Sequence, residues 1–256
     1  MNAILETRAL QVRVGEKLIC RDLNLCVQAG ECWAVLGMNG VGKTSLLLTL
    51  AGLKTPRAGT VYLHGKPLAE LPRHELAKIC GVMFQDSDDA FPARVLETAL
   101  IGRHPHLRAW QWESAADEAL ARAALQAVGL ADLAQRANNT LSGGERRRLA
   151  LATLLTQDPA LMLLDEPINH LDLHHQINAL ELLTQQVAQH GKTSVMVLHD
   201  VNLAARYCDA ALLLFGDGEV LQGPVHAVLH LENLSRLYGH PVRSVETPGG
   251  ILFYPG

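Results

Sequence analysis

The sequence predicts an α/β fold built on a mainly parallel sheet, with an antiparallel β element at the N-terminus and a helical insert. Three observations carry that expectation. First, a short apolar run from Glu31 to Leu36 leads into Gly37-Met38-Asn39-Gly40-Val41-Gly42-Lys43-Thr44, and a helical pattern follows from Ser45 to Ala51. Strand, glycine-rich turn and helix in that order form a phosphate-binding unit. Second, helical patterns over 144–157, 172–190 and 201–208 alternate with strands over 161–164, 193–199 and 211–215. That alternation indicates parallel strands joined by helical crossovers. Third, residues 1–30 alternate apolar and polar, with Leu10, Val12 and Val14 on one face and Leu23, Leu25 and Val27 on another, turning at Gly15-Glu16.

The remaining elements follow in chain order. Residues 59–65 make a short strand bounded by glycines, 71–79 a short helix, and 81–85 a strand ending at Gln85. The composition changes at residue 86, and a helical subdomain is expected over about 86–157. Its main helix runs from Ser114 to Val128. Ser114 with Asp117 forms a capping box, and Gly129 supplies the stop. A tail from about 220 to 256 holds a helix over 225–237 and a hairpin around Pro248-Gly249-Gly250. The whole of 1–256 is read as one domain.

The formal net charge is −4, with both signs interspersed. A nucleic-acid binder shows a basic stripe, and the lone cluster Arg146-Arg147-Arg148 reads instead as a solvated or ion-paired helix face, so no nucleic-acid partner is expected. Five cysteines without a Cys-x-x-Cys pair fit a reducing compartment. The opening residues are charged where a signal peptide needs an apolar run. No uncharged apolar stretch approaches the ~20 residues needed to cross a bilayer, so the chain is not expected to span one. His170, His174 and His175 read as surface residues at a helix start, since no cysteine or carboxylate cluster supports a metal site.

The chemistry lies in four places. In residues 37–44 the backbone N–H groups can cradle a polyphosphate, Lys43 can reach the β- and γ-phosphates, and the Thr44 hydroxyl can ligate Mg²⁺. Leu161-Met162-Leu163-Leu164 ends in Asp165-Glu166. A buried strand ending in Asp sets a carboxylate beside the loop's metal, and Glu166 next to it can polarise a water for in-line attack. Ser142-Gly143-Gly144 opens a helix, which makes a second anion-seeking site. Two such sites in one chain suggest nucleotide held between two copies. His199 ends a strand, where it can hold the γ-phosphate and the attacking water in line.

In this order the motifs resemble the ATP-binding subunit of an ABC transporter, from about residue 4 to the C-terminus. By that resemblance residues 37–44 are Walker A, with Ser45 beside it also binding nucleotide, Gln85 is the Q-loop glutamine, and residues 141–145 are the signature. Asp165 and Glu166 are Walker B, Asn169-His170-Leu171-Asp172 the D-loop, and His199 the switch histidine. It implies two ATP molecules in a head-to-tail dimer, each between Walker A of one subunit and Ser142-Gly143-Gly144 of the other. Lys43, Gln85, Glu166 and His199 are then the catalytic set, and Thr44, Gln85 and Asp165 the Mg²⁺ set. Gln85 senses the γ-phosphate and Asp172 couples the two sites. Val14 stands where many members carry an aromatic that stacks on adenine.

Glu145 in the signature, the Asn-His-Leu-Asp D-loop, residues 95–106 and the tail from Leu237 all resemble the importers of metal chelates: iron–siderophores, haem and cobalamin. The resemblance implies a peripheral ATPase on the cytoplasmic side of the inner membrane. A permease docks near residues 86–106, where Phe91, Pro92, Arg94 and His104 look exposed, and a substrate-binding protein takes part indirectly. Two alternatives stay open. Residues 84–89 resemble the energy-coupling-type vitamin and cobalt/nickel importers, and a soluble ABC ATPase without a membrane partner is the other.

Overall fold

The computed structural model describes residues 3–85, 92–108 and 110–256. The chain forms two compact units, Met1–Leu71 with Thr193–Gly256, and Pro72–Lys192.

The first unit begins with β1 (Ala3–Val14), β2 (Lys17–Leu23) and β3 (Cys26–Gln28), then β4 (Cys32–Gly37), α1 (Lys43–Leu50), β5 (Ala58–Leu63) and β6 (Lys66–Pro67). β1 pairs antiparallel with β2, β3 and β5, which is the predicted N-terminal element. All six residues of β4 are buried. A strand covered on both faces needs such an unbroken apolar run rather than an alternating one.

The second unit holds α2 (Arg73–Ile79), β7 (Cys80–Met83), α3 (Val95–Leu100), α4 (Ala115–Ala127), α5 (Gly143–Gln157), β8 (Leu161–Asp165) and α6 (Leu173–His190). β7 runs parallel to β8, with Cys80 opposite Leu161 and Met83 opposite Leu164. The expected capping box starts α4: Ser114 Oγ accepts from the Asp117 N–H at 3.2 Å, and Asp117 Oδ2 accepts from the Ser114 N–H at 2.9 Å. Asp117 also accepts from Arg103 Nε at 2.8 Å, and Arg103 Nη1 donates to the Thr156 carbonyl at 3.1 Å. This tie fastens the 3₁₀ turn Ile101–His106 to α4 and α5. These bonds, led by those from Ser114, lower the Asp117 pKa to about 2.

The chain then returns to the first unit with β9 (Thr193–Val197), α7 (Val201–Tyr207), β10 (Ala210–Leu214), β11 (Val220–Pro224), α8 (Val225–Val228), α9 (Leu231–Tyr238), β12 (Val242–Thr247) and β13 (Gly250–Pro255). β4 lies parallel to both β9 and β10, and every residue of β9 and β10 is buried. The predicted parallel core is therefore present, edged by antiparallel β11. The tail hairpin turns between Thr247 and Gly250, as expected. The single tail helix expected over 225–237 is instead two. Leu229 and His230 leave the helical region, with ψ of 75° and 157°. Leu229 is buried at 5 % exposed, and the Asn233 side-chain amide donates to the Val228 carbonyl at 2.8 Å, terminating α8 from outside its own ladder.

Candidate functional site

In the first unit residues 38–42 join the end of β4 to the start of α1. Met38, Asn39 and Gly40 are exposed. No side chain caps α1 and no acidic residue occupies its first turn. Its N–H groups and dipole therefore face whatever lies over the loop, a field that favours an anion. Gly42 has φ 113°, and a Cβ there would lie 2.3 Å from Ile19 Cδ1, so only glycine fits. Lys43 is buried and its ammonium donates to the carbonyls of Gly37 at 2.8 Å and Met38 at 3.1 Å, folding back across the loop. Lys17 Nζ braces the loop by donating to the Gly40 carbonyl at 2.8 Å. Thr44 and Ser45 sit half-buried in the first helical turn, with Lys54 Nζ donating to Ser45 Oγ at 3.2 Å.

β9 follows β4 in parallel, and the Leu198 N–H continues the pairing to the Val35 carbonyl at 3.2 Å. His199 thus emerges, exposed, at the same end of the sheet as Gly37. The carboxyl end of a parallel sheet is where α/β folds bind ligands. Val14 is 45 % exposed at the end of β1.

In the second unit β8 delivers Asp165 and Glu166, both buried. Glu166 has a left-handed backbone with φ 52°, a conformation that costs roughly 1–3 kcal/mol outside glycine. Local hydrogen bonds offset that cost. The Asn169 side-chain amide donates to Glu166 Oε2, the Asn169 N–H donates to the Glu166 carbonyl at 3.1 Å, and Arg147 donates to the same carbonyl at 2.6 Å. Gln85 is exposed, and its carbonyl accepts from Arg147 at 2.9 Å. The residues that follow, 86–91, lie outside the described residues, so of the expected docking stretch only 92–106 is visible. There Pro92, Arg94 and His104 are exposed, while Arg103 turns inward to Asp117.

Ser142 is the N-cap of α5. Its hydroxyl accepts from the Glu145 N–H at 3.2 Å, and Glu145 Oε2 accepts from the Ser142 N–H at 2.7 Å. In one chain the Ser142 hydroxyl is thus engaged in a reciprocal cap, and the backbone bond from Ser142 leads the causes that lower the Glu145 pKa. Gly143 is exposed, and a Cβ on Gly144 would lie 3.3 Å from the His170 carbonyl. Asp172 caps α6, accepting from the His175 N–H at 2.9 Å with His175 Nδ1 at 2.8 Å, and these contacts lower its pKa. His174 Nε2 lies 3.0 Å from Asn178 Nδ2, and no group of three metal-ligating side chains gathers among the described residues.

Each unit therefore collects its own part of the sequence-predicted set. Residues 37–45 and His199 share one sheet end in the first, and the Gln85 backbone, Asp165 and Glu166 share one guanidinium in the second. That guanidinium is what sequence reasoning missed. Arg147 reads as part of a solvated or ion-paired run, yet it is 6 % exposed and bonded to backbone carbonyls.

The ABC transporter family model matches residues 20–169, more than half of the chain. The chain belongs to the ABC transporter family. It is 35 % identical over 247 residues to the ferric enterobactin transport ATP-binding protein FepC of Escherichia coli, covering 96 % of this chain and 91 % of that one. It is 43 % identical over 225 residues to the hemin import ATP-binding protein HmuV of Gloeobacter violaceus, covering 85 % and 80 %. A solved transporter described as of metal-chelate type, in an inward-facing conformation, superposes with a TM-score of 0.87 at 28 % identity. It covers 100 % of this chain and 98 % of its own. As an ABC ATPase this chain binds ATP and couples its hydrolysis to transport.

Proposed function

We propose that this ABC ATPase powers import of a metal chelate, haem, iron–siderophore or cobalamin, through a separate membrane permease. The observation that carries the reading is the likeness over 96 % of the chain to an ATP-binding protein named for ferric enterobactin transport and over 85 % to one named for hemin import. No helix among the described residues is long and apolar enough to cross a membrane, which accords with a peripheral subunit on the cytoplasmic side. Its permease would dock near residues 86–106 and a substrate-binding protein would act indirectly. A second copy of this chain would complete each nucleotide site, with its Ser142, Gly143 and Gly144 amides facing ATP held by residues 37–45 of the first.

In this reading the loop amides and Lys43 hold the β- and γ-phosphates, and Glu166 accepts a proton from the attacking water as it develops nucleophilic character. His199 orients that water against the γ-phosphoryl, and Gln85 reports whether the γ-phosphate is present. Asp172 links the paired sites. Thr44, Gln85 and the buried Asp165 offer only oxygen donors, the set that Mg²⁺ takes. Bound there, Mg²⁺ would supply charge neutralisation at the phosphates.

The test is purification of Glu166→Gln with MgATP from gently solubilised native membranes. Recovery with a many-spanning permease, whose complex then transports haem, cobalamin or a ferric siderophore in vesicles, is the expected result. Recovery as a soluble dimer alone would overturn the transport assignment.

A further inference from the structure

Arg147 lies in the second turn of α5, five residues beyond the Ser142 cap, and is buried at 6 % exposed. Its guanidinium donates to five backbone carbonyls from two separate stretches of chain. Nη1 serves Phe84 and Gln85, the latter at 2.9 Å. Nη2 serves Asp165 and Glu166, the latter at 2.6 Å, and Nε reaches Pro167 at 3.3 Å. A guanidinium has five N–H donors in a rigid planar fork, so these bonds draw on its whole geometry. A lysine ammonium has three donors on a single point and cannot span both loops in this way.

We propose that Arg147 is a positioning residue for ATP hydrolysis. It fixes the loop carrying Gln85 to the loop carrying Glu166 and ties both to the helix headed by Ser142. The proposal rests on the roles given above to Gln85, Glu166 and Ser142. In physical terms the γ-phosphate sensor and the water-polarising carboxylate share one rigid clamp. That clamp is continuous with the helix whose N-terminus would meet the second copy's nucleotide. Ordering of α5 by that nucleotide is thereby felt directly at Glu166, through one side chain and its carbonyl bonds.

The test compares ATP turnover by wild type, Arg147→Lys, Arg147→Met and Glu166→Gln, each with its KM for ATP and its thermal midpoint. Arg147→Lys keeps the charge and part of the bonding, so it carries the test should Arg147→Met fail to fold. Loosening a catalytic group by about 1 Å costs up to ~100-fold in rate. The expected result for Arg147→Lys is therefore a kcat loss of about 10- to 100-fold, with KM within about threefold and a fall in thermal midpoint of only a few degrees. The carbonyls that Arg147 serves, at 84–85 and 165–167, are not those of the phosphate loop over 37–45, so the affinity for ATP should be kept. Turnover by Arg147→Lys within about twofold of wild type overturns the proposal, and so does a parallel fall of kcat, affinity and thermal midpoint. Full turnover by Glu166→Gln would instead overturn the role given to Glu166, a distinguishable failure.

Discussion

Replacing Gly42 by alanine perturbs the phosphate loop at its tightest point. The residue sits at φ 113°, and the new Cβ would lie 2.3, 2.8 and 2.9 Å from Ile19 Cδ1, Cγ1 and Cγ2. Two costs add. A side chain at such a φ costs of the order of 1–3 kcal/mol. Forcing a methyl against Ile19, itself 1 % exposed in the β2 core, costs about another 1–3 kcal/mol. The sum, roughly 2–6 kcal/mol, compares with a total of about 5–15 kcal/mol for a folded domain. At this chain length it corresponds to a fall in thermal midpoint of about 5–20 °C. Urea unfolding read by far-UV circular dichroism measures it, with ATP affinity followed in parallel because the strain lies in the loop proposed to hold the phosphates. Gly40→Ala is the control. It has φ 70° and nothing within 4 Å of a Cβ, so only the conformational cost of about 1–2 kcal/mol applies. Trimming Ile19 to alanine in the Gly42→Ala background removes the clash but leaves the φ penalty and opens a cavity, so the pair must be non-additive. Equal stability of Gly42→Ala and Gly40→Ala would refute the steric argument, and equal stability of Gly42→Ala and wild type would refute both terms.

Three further outcomes follow from the proposed roles and the burial of named groups. Glu166→Gln keeps the shape but loses the proposed proton acceptor, so turnover should fall by at least ~100-fold with ATP still bound, as single-turnover and equilibrium-binding assays would read. The Asp117 carboxyl has its pKa lowered to about 2 by Ser114 and then Arg103. Its contribution is full above the unfolded value of about 4 and is lost as pH falls toward 2, so the midpoint gap between wild type and Asp117→Asn should be constant near neutrality and close in acid. Of the five cysteines Cys26 alone is exposed, and burial pushes Cys20 up to about 11 and Cys80 to about 12. One thiol should react quickly with Ellman's reagent in the native protein and the rest only on unfolding, and two fast thiols would contradict the burial.

The parts legible in the sequence were those with a local cause. The phosphate loop's glycines, Ser114 with Asp117, and the apolar runs of β4 and β8 are each recognised from residues within a few positions, although the close approach of Ile19 that demands Gly42 comes from β2. The split of the tail helix was not legible, because α8 ends through the buried Leu229 and a carbonyl bond from Asn233, not through glycine or proline. Ser142 shows how one motif holds two readings. Its hydroxyl makes the reciprocal cap with Glu145, while the exposed Gly143 beside it leaves room for an anion to approach the helix start.

Arg147 is the instructive miss. Three arginines in a row look like a charged surface, since a buried charge is costly unless it is bonded. Helical periodicity carried the contrary signal. Arg147 lies four residues before Leu151 and seven before Leu154, both buried, so the apolar stripe of α5 extrapolates back onto it, while Arg146 is exposed. An arginine on the inward stripe must find acceptors, and the ends of the two strands β7 and β8 supply them as carbonyls left over where strand pairing stops. The chain ends of a parallel sheet are therefore both where the acids sit and where the unpaired carbonyls accumulate. A single buried guanidinium there satisfies the second and, by doing so, fixes the first.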